Sequence, residues 1–274
     1  MESHINLLYF SATDTTAKIV KEIACGIGES ITEYDITLPA GRQKELNFDS
    51  DDLIIIGVPV YAGRVPEFLI DYFTKVKGNQ TKAVFIVVYG NRDYEDALLE
   101  LKDSFEHNGF IGIAGGAFIG EHSYSEKLAT GRPDHDDLKY AHEFGMKIKE
   151  IVNNKKNQAM VQKLSVKGNY PYKERKPQQP IAPETNDKCI NCGICATHCP
   201  MDAIDLLNFR VVDANKCVKC CRCIKRCLVH AKAIKEEWFI QFTQGLIDKF
   251  SMTRHEPDLY IISTTTYNEN KLHV

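Results

Sequence analysis

The sequence lacks a hydrophobic run long enough to cross a membrane. Its longest apolar stretch, residues 53–62, is about half of the roughly 20 residues that a transmembrane helix needs. The first four residues carry an acid and no basic region, which is not the pattern of a signal peptide. We therefore expect a cytoplasmic protein without a membrane partner.

Two other patterns are missing. There is no Gly-x-Gly-x-x-Gly fingerprint and no second dinucleotide-binding unit, so direct oxidation of NAD(P)H is not favoured. Basic residues are not interleaved with aromatic ones, so we expect no nucleic-acid partner. The net charge of −3 conceals an asymmetry, because residues 1–153 carry −10 and residues 154–274 carry +7. Opposite charges favour docking of the two halves within one chain or between the chains of a homodimer; two independently solvated halves are the alternative.

Eight of the ten cysteines form two copies of one pattern. The first run is Cys189, Cys192, Cys195 and Cys199, and the second run is Cys217, Cys220, Cys223 and Cys227. This spacing is typical of two [4Fe-4S] clusters in which the fourth ligand of each cluster comes from the other run. We therefore predict that Cys227 completes the first-run cluster and Cys199 the second-run cluster. Zinc is the alternative, although zinc sites usually use two separated cysteine pairs.

The remaining two cysteines do not fit the ligand pattern. Cys25 is interpreted as a small core residue of the first helix, and Cys221 as a spare thiol. Five cations lie near the second run, whereas only Lys188 lies near the first. They are Lys216, Lys219, Arg222, Lys225 and Arg226. Because positive charge stabilises the reduced, more negative cluster, we expect the second-run cluster to be the easier one to reduce.

The first 153 residues alternate apolar runs with amphipathic stretches. Strands are predicted at 5–10, 31–36, 53–58, 83–88 and 110–118, and helices at 15–28, 66–76, 94–108 and 133–152. Two strands are apolar on both faces, as a covered parallel sheet requires. Five strands interleaved with helices predict an α/β fold with a doubly wound, five-stranded parallel sheet of the flavodoxin-like type.

Three further segments follow this predicted domain of residues 1–153. Residues 154–186 are rich in proline and are predicted to form a linker of mostly extended backbone. Residues 187–236 contain both cysteine runs and are predicted to form a small 2[4Fe-4S] ferredoxin-like domain. Residues 237–274 are predicted to be a helical extension, in which Phe239, Phe242, Leu246 and Phe250 form an apolar stripe. We interpret this stripe as a packing surface rather than a cofactor site.

Ligands of doubly wound sheets bind beyond the carboxyl ends of the strands. After the first strand, Ser11, Thr13, Asp14, Thr15 and Thr16 lead into a helix, where hydroxyls and free N–H groups can bind phosphate; simple helix capping is the alternative. The loops after the third and fourth strands combine glycine with aromatic residues and polar groups. They contain Pro59, Val60, Tyr61, Ala62 and Gly63, and Tyr89, Gly90, Asn91, Arg92 and Tyr94.

With these loops and the two cysteine runs, the chain resembles the flavodoxins and, more closely, the flavodoxin–ferredoxin fusion proteins of anaerobes. The resemblance implies FMN, with Ser11, Thr13, Thr15 and Thr16 at the phosphate and the other two loops against the ring. Asp14 departs from the family pattern, which usually has glycine there. Aspartate tolerates a left-handed backbone but brings a carboxylate close to the phosphate.

The segment 120–134 follows the fifth strand and is expected to emerge beside the loop of the fourth. Pro133 and the acids after it suit the start of a helix, whereas Glu121, His122 and Arg132 have no such explanation. Three roles are open for these residues: contacts of a lid over the flavin, a proton donor to it, or a surface loop.

The predicted function is intracellular electron transfer with redox partner proteins through FMN and two [4Fe-4S] clusters. A ferredoxin-type FMN/iron–sulfur oxidoreductase that reduces a small substrate under the segment 120–134 is the alternative. A closed pocket over the flavin would favour the enzyme, whereas an open ring edge would favour the carrier.

Overall fold

The computed structural model describes residues 4–28, 30–153, 163–177 and 179–262. The strands are β1 (Ile5–Tyr9), β2 (Ile31–Asp35), β3 (Leu46–Phe48), β4 (Leu53–Pro59), β5 (Val76–Gly78), β6 (Thr81–Tyr89), β7 (Phe110–Ile119), β8 (Glu184–Thr185), β9 (Lys232–Ala233) and β10 (Asp258–Ile261). The α-helices are α1 (Thr15–Ile27), α2 (Ile70–Phe73), α3 (Ala97–His107), α4 (His135–Asn153), α5 (Ile194–Thr197), α6 (Arg222–Lys225) and α7 (Glu237–Phe250).

The main sheet has the strand order β10-β7-β6-β4-β1-β2. All its neighbouring strands are parallel except β10, which pairs antiparallel with β7. The five parallel strands are those that the sequence predicts, and they follow the doubly wound order 2-1-3-4-5. The prediction of a five-stranded sheet missed the sixth strand, β10, because a short strand from the far end of the chain has no local partner in the sequence.

Helices α1 and α4 cover one face of this sheet. Ile19, Ile23 and Ile27 of α1 are buried there, as their spacing of four residues predicts, and each contributes roughly 1.5–3 kcal/mol by leaving water. The two helices cross in backbone contact, since a Cβ on Gly26 would lie 2.1 Å from the His142 carbonyl oxygen. Cys25 faces outward and is exposed, so its interpretation as a core residue is wrong.

The helix predicted at 66–76 is much shorter in the structure. A 3₁₀ turn at Glu67–Leu69 continues into the single turn of α2, and the chain then enters β5. Val76 is buried in β5, which pairs with β3 in a second, two-stranded sheet. Tertiary pairing of this β-branched residue ends the helix early.

Where the structure describes it, the predicted linker 154–186 packs against the α/β domain. Leu164 is buried in the core of the α/β domain. The Tyr172 hydroxyl donates a hydrogen bond to Asp103 at 2.8 Å, and Arg175 donates one to Glu100 at 2.9 Å. Residues 184–185 pair with β9 of the cysteine-rich region. The described part of the predicted linker is thus a strap that lies along the α/β domain.

The C-terminal segment begins with α7 and returns to the main sheet as β10. The extension is therefore not helical throughout, and residues 263–274 lie outside the described part of the chain. The hydroxyl of Tyr94 donates to Asp258 at 2.6 Å and lies 2.8 Å from the hydroxyl of Tyr260. Within the described residues, no helix combines the length and the apolar character needed to cross a bilayer.

Candidate functional site

A cavity of about 740 Å³ lies at the carboxyl edge of the parallel strands. Its wall includes the loops that follow β1, β4, β6 and β7, where a doubly wound sheet binds its ligand. Eleven of the residues predicted from the sequence lie on this wall. They are Thr13, Thr15, Thr16, Pro59, Val60, Tyr61, Ala62, Gly63, Tyr89, Gly90 and Arg92.

The first of these loops ends at the N-terminus of α1. Asp14 adopts the left-handed conformation with a φ of 66° and makes no side-chain capping hydrogen bond. The Ser11 hydroxyl accepts a hydrogen bond from the N–H of Ala17 at 3.1 Å, so Ser11 caps the helix. Thr15 and Thr16 open a helix whose first N–H groups have no partner within the helix. This arrangement suits a phosphate group.

The loop after β4 makes a tight turn at the cavity. The N–H of Tyr61 donates to the Arg64 carbonyl at 2.9 Å, and the N–H of Arg64 donates back at 3.1 Å. Ala62 and Gly63 have φ values of 54° and 83°, the pattern of a type I′ turn. A Cβ on Gly63 would lie 1.9 Å from a carboxylate oxygen of Glu95, so only glycine fits there without displacing Glu95.

Four predicted residues are not on the cavity wall. Ser11 caps α1, and Asp14 forms an ion pair with Arg226 at 2.9 Å. The Asn91 amide donates to the carbonyls of Phe250 and Thr253, each at 2.7 Å. Tyr94 is buried under the loop and holds β10. These four residues lie off the cavity wall, and their assignment as direct flavin contacts stays a prediction.

The segment after β7 lies beside the loop after β6, as its topology predicts. A Cβ on Gly90 would lie 2.3 Å from the imidazole of His122. Glu121 and His122 both line the cavity. Arg132 does not: it is buried and pairs with Asp137 at the start of α4. Arg132 thus has a structural role, and only the first two residues remain candidates for contact with a ligand.

His122 is a neutral hydrogen-bond donor in this position. Burial, with smaller effects of Lys225 and Arg92, lowers the pKa of His122 to about 4. Its Nδ1 accepts the N–H of Tyr124 at 3.1 Å, so the neutral ring carries its proton on Nε2. The environment therefore disfavours the imidazolium form at neutral pH and leaves an N–H group for a ligand.

Sequence reasoning missed the part of the wall that comes from the C-terminal half. Three groups of residues complete it: one from residues 176, 177 and 179, one from the second cysteine run and one from α7. They are Lys176, Pro177, Gln179, Val218, Lys219, Cys220, Trp238, Phe239, Phe242 and Leu246. Phe239 and Leu246 of the α7 stripe are buried, as a packing surface requires, and Phe239, Phe242 and Leu246 also line the cavity. The charge asymmetry was the one signal in the sequence that the two halves would meet.

The cavity fits FMN on three grounds. Its volume lies within the range of small-molecule and cofactor sites. The N-terminus of α1 and threonine hydroxyls lie at one part of the wall. At another part, Tyr61 and Tyr89 provide flat surfaces, and the tight turn at Gly63 lets the backbone approach a ligand closely. The segment after β7 passes close to α1 at Gly120, where the Cβ of any other residue would lie 3.0 Å from Thr15.

Cys189, Cys192 and Cys195 of the first run surround a small cavity of about 20 Å³ together with Cys227. The structure thus brings Cys227 to Cys189, Cys192 and Cys195, as the interlocked pattern predicts. Cys199 correspondingly lies close enough to Cys217, Cys220 and Cys223 to interact with their charge. Four cysteines around one cavity match the number of ligands that a [4Fe-4S] cluster needs.

Each run has the same local hydrogen bond at its last cysteine. The sulfur of Cys199 accepts the N–H of Ala203 at 3.3 Å, and the sulfur of Cys227 accepts that of Ala231 at 3.2 Å. Such N–H···S contacts stabilise thiolate ligands. Cys221 is buried in a small apolar cluster with Ile234 and Phe239, in agreement with its interpretation as a spare thiol.

Charged contacts join the cysteine-rich region to the α/β domain. Asp14 pairs with Arg226, and Glu121 pairs with Lys225 at 2.5 Å. The Arg222 guanidinium donates to the carbonyls of Ser11 and Ala12 at 2.9 and 2.6 Å. Acidic groups of the first half meet basic groups of the second half, as the charge asymmetry predicts.

Comparison with known proteins agrees with this division. A family model described as a flavodoxin domain matches residues 6–121, and one described as a 4Fe-4S binding domain matches residues 184–205. Ferredoxin YfhL of Escherichia coli (strain K12) is 29% identical over 75 residues, which are 25% of this chain and 87% of that protein.

Solved structures resemble part of the chain. A flavodoxin from the domain Archaea is 13% identical, with 55% of this chain and 99% of that chain covered and a TM-score of 0.39. The Flv1 flavodiiron core from Synechocystis sp. PCC6803 is 16% identical, with 55% of this chain and 36% of that chain covered and a TM-score of 0.39.

The fold and the cysteine sites together define a flavodoxin-like α/β domain joined to an iron–sulfur domain. Both family models match within one polypeptide, at residues 6–121 and 184–205. The chain thus joins a flavodoxin domain to a 4Fe-4S ferredoxin domain. The flavodoxin domain implies FMN and the ferredoxin domain implies [4Fe-4S] clusters, and electron transfer is the function common to both.

Proposed function

We propose that this chain carries one FMN and two [4Fe-4S] clusters and passes electrons between them and redox partner proteins. The observation that carries the proposal is the position of Cys220. This predicted ligand of the second-run cluster is buried and forms part of the wall of the flavin cavity. Both cofactor sites thus share one wall within a single chain.

The proposed order of electron transfer follows from burial. Cys220 lies at the cavity, whereas Cys192 of the first run is exposed. Bound FMN supplies an exchange of two electrons, and each cluster supplies an exchange of one. The second-run cysteines are placed to connect the flavin site with the first run, whose Cys192 is exposed to solvent. Redox partner proteins then dock near Cys192, and the cytoplasm remains the proposed location.

A second candidate function is the reduction of a small substrate at the flavin. The cavity is walled by the protein's own strap, cysteine run and α7, in addition to the flavodoxin loops. Such a wall favours exchange with a small molecule over direct contact between the flavin and a second protein. The neutral N–H of His122 would face that molecule or the flavin itself.

Anaerobic purification followed by cofactor analysis and flash reduction tests the proposed function. We expect about eight irons, eight labile sulfides and one FMN per chain. After the flavin is reduced by a light pulse, cluster absorbance should bleach in a first-order reaction whose rate does not depend on protein concentration. A rate that rises in proportion to concentration would contradict transfer within the chain.

Lys219→Gln is expected to lower the reduction potential of the second-run cluster. Lys219 is only 8% exposed, so its charge acts through protein rather than water. We expect a shift on the order of 50 mV, because 59 mV corresponds to a tenfold change in a one-electron equilibrium. A stepwise reductive titration followed by EPR measures both cluster potentials.

Lys216→Gln is the matched control for this prediction. Lys216 lies beside the same cysteine run but is exposed, so water and salt screen its charge. The control should move the potential much less, and the first-run cluster should stay nearly unchanged in both variants. An equal shift in the two clusters of Lys219→Gln would defeat the argument.

A further inference from the structure

We infer that α7 completes the flavin site, with Trp238 and Phe242 providing an outer aromatic wall for the isoalloxazine ring. This inference rests on the proposed binding of FMN. It assigns part of a flavodoxin-type site to a helix that lies beyond the iron–sulfur domain in the sequence.

Buried contacts fix the position of α7. Phe239 and Leu246 are buried, and Phe239 packs on Tyr124 with ring centroids 4.7 Å apart. The other end of the helix is held by Asn91, whose amide binds the carbonyls of Phe250 and Thr253. Asn91 belongs to the loop after β6, so a flavodoxin loop itself positions the helix.

Two aromatic side chains of α7 remain open at the cavity. Trp238 is 43% exposed and Phe242 is 51% exposed, yet both line the cavity wall. They are four residues apart and therefore lie on one face of the helix. Large aromatic side chains left in water are unfavourable, and a flat aromatic ligand covers them while gaining stacking contacts.

The occupant is specified by the rest of the wall. Trp238 and Phe242 share one continuous cavity with Tyr61, Tyr89 and the N-terminus of α1. A ligand that spans this wall needs a flat aromatic ring and an anionic group, and FMN has both. A second protein on the same face would instead leave the residues of the flavodoxin loops uncovered.

Trp238 is also the built-in probe for the test, since it is the single tryptophan of the chain. FMN is removed anaerobically from the full-length protein, and the iron content is checked to show that the clusters remain. FMN is then added while Trp238 emission is recorded. We expect saturable quenching by at least half, together with a visible circular dichroism signal from the bound ring.

Variants measure the contribution of the wall to affinity. Trp238→Ala and Phe242→Ala should each raise the Kd for FMN about tenfold, which corresponds to about 1.4 kcal/mol. Trp238→Phe should stay within about threefold of wild type. Lumiflavin, which has the ring without the phosphate, should lose affinity in the same variants. Ile240→Ala is the matched control, because Ile240 is exposed on the same helix and absent from the cavity wall.

The outcomes separate this inference from the proposed function. Wild-type protein that binds FMN tightly without quenching, and with unchanged affinity in Trp238→Ala and Phe242→Ala, overturns the assignment of α7 alone. Wild-type protein that does not bind FMN overturns both the assignment and the proposed function. Equal weakening by Ile240→Ala also overturns the assignment, because it shows that the helix acts only through stability.

Discussion

Cys227→Ala is expected to destroy the normal first-run cluster while leaving the second-run cluster intact. Cys227 is distant in sequence from Cys189, Cys192 and Cys195, but it lies with them around one small cavity. Without its fourth thiolate this cluster loses at least one iron, so the iron content should fall from about eight to between four and seven. EPR of the reduced protein should lose one of its two cluster signals.

Cys199→Ala is the reciprocal variant and should remove the other signal. Cys221→Ala is the matched control, because Cys221 is a buried thiol beside the second-run ligands that we do not count among them. The control should retain both clusters. Two normal cubane signals in Cys227→Ala would exclude the exchange of ligands between the runs.

Arg222→Ala is expected to weaken the contact between the two domains most strongly. Arg222 is 7% exposed and donates to the carbonyls of Ser11 and Ala12, just before the predicted phosphate loop. Truncating a buried, hydrogen-bonded charge at an interface costs about 2–5 kcal/mol. The apparent midpoint of thermal unfolding should fall by about 5–15 °C, and FMN should bind at least tenfold more weakly because its loop loses support.

Arg226→Ala is the control for this effect. Arg226 pairs with Asp14 at 2.9 Å, but both side chains are partly exposed, and such pairs contribute about 0–1 kcal/mol. High salt should abolish the stabilisation of the domain contact by Arg226 and leave most of the stabilisation by Arg222. Calorimetry and FMN titration of both variants measure the difference, and equal losses would show that the buried hydrogen bonds add nothing.

The sequence predicted the elements whose signals are local. The cysteine spacing places the ligands within a few residues of one another, so the two clusters can be inferred without a fold. The five parallel strands are short apolar runs between amphipathic helices, and their carboxyl ends lead directly into the loops of the cavity. Eleven wall residues followed from that rule alone.

Local signals failed where a residue depends on distant partners. Cys25 is apolar in character and follows buried residues, but only the packing of α1 against α4 shows that it faces water. The helix predicted at 66–76 ends early because β5 pairs with β3. The hydrogen bonds of Ser11 to α1 and of Asn91 to the C-terminal segment likewise depend on the fold, and the assignment of both residues as cofactor contacts stays a prediction.

The sequence by itself predicted the two cluster sites and determined the doubly wound sheet and the polar loops at its edge, because each depends on spacing along the chain. Only the tertiary structure decided that Cys220, Lys219 and α7 close the flavin cavity. These residues lie more than 200 positions beyond the loop of β1, and no periodicity or motif encodes a contact over that separation. Burial of Arg222 and pairing of opposite charges between the domains hold them there, and such contacts exist only once both domains have folded.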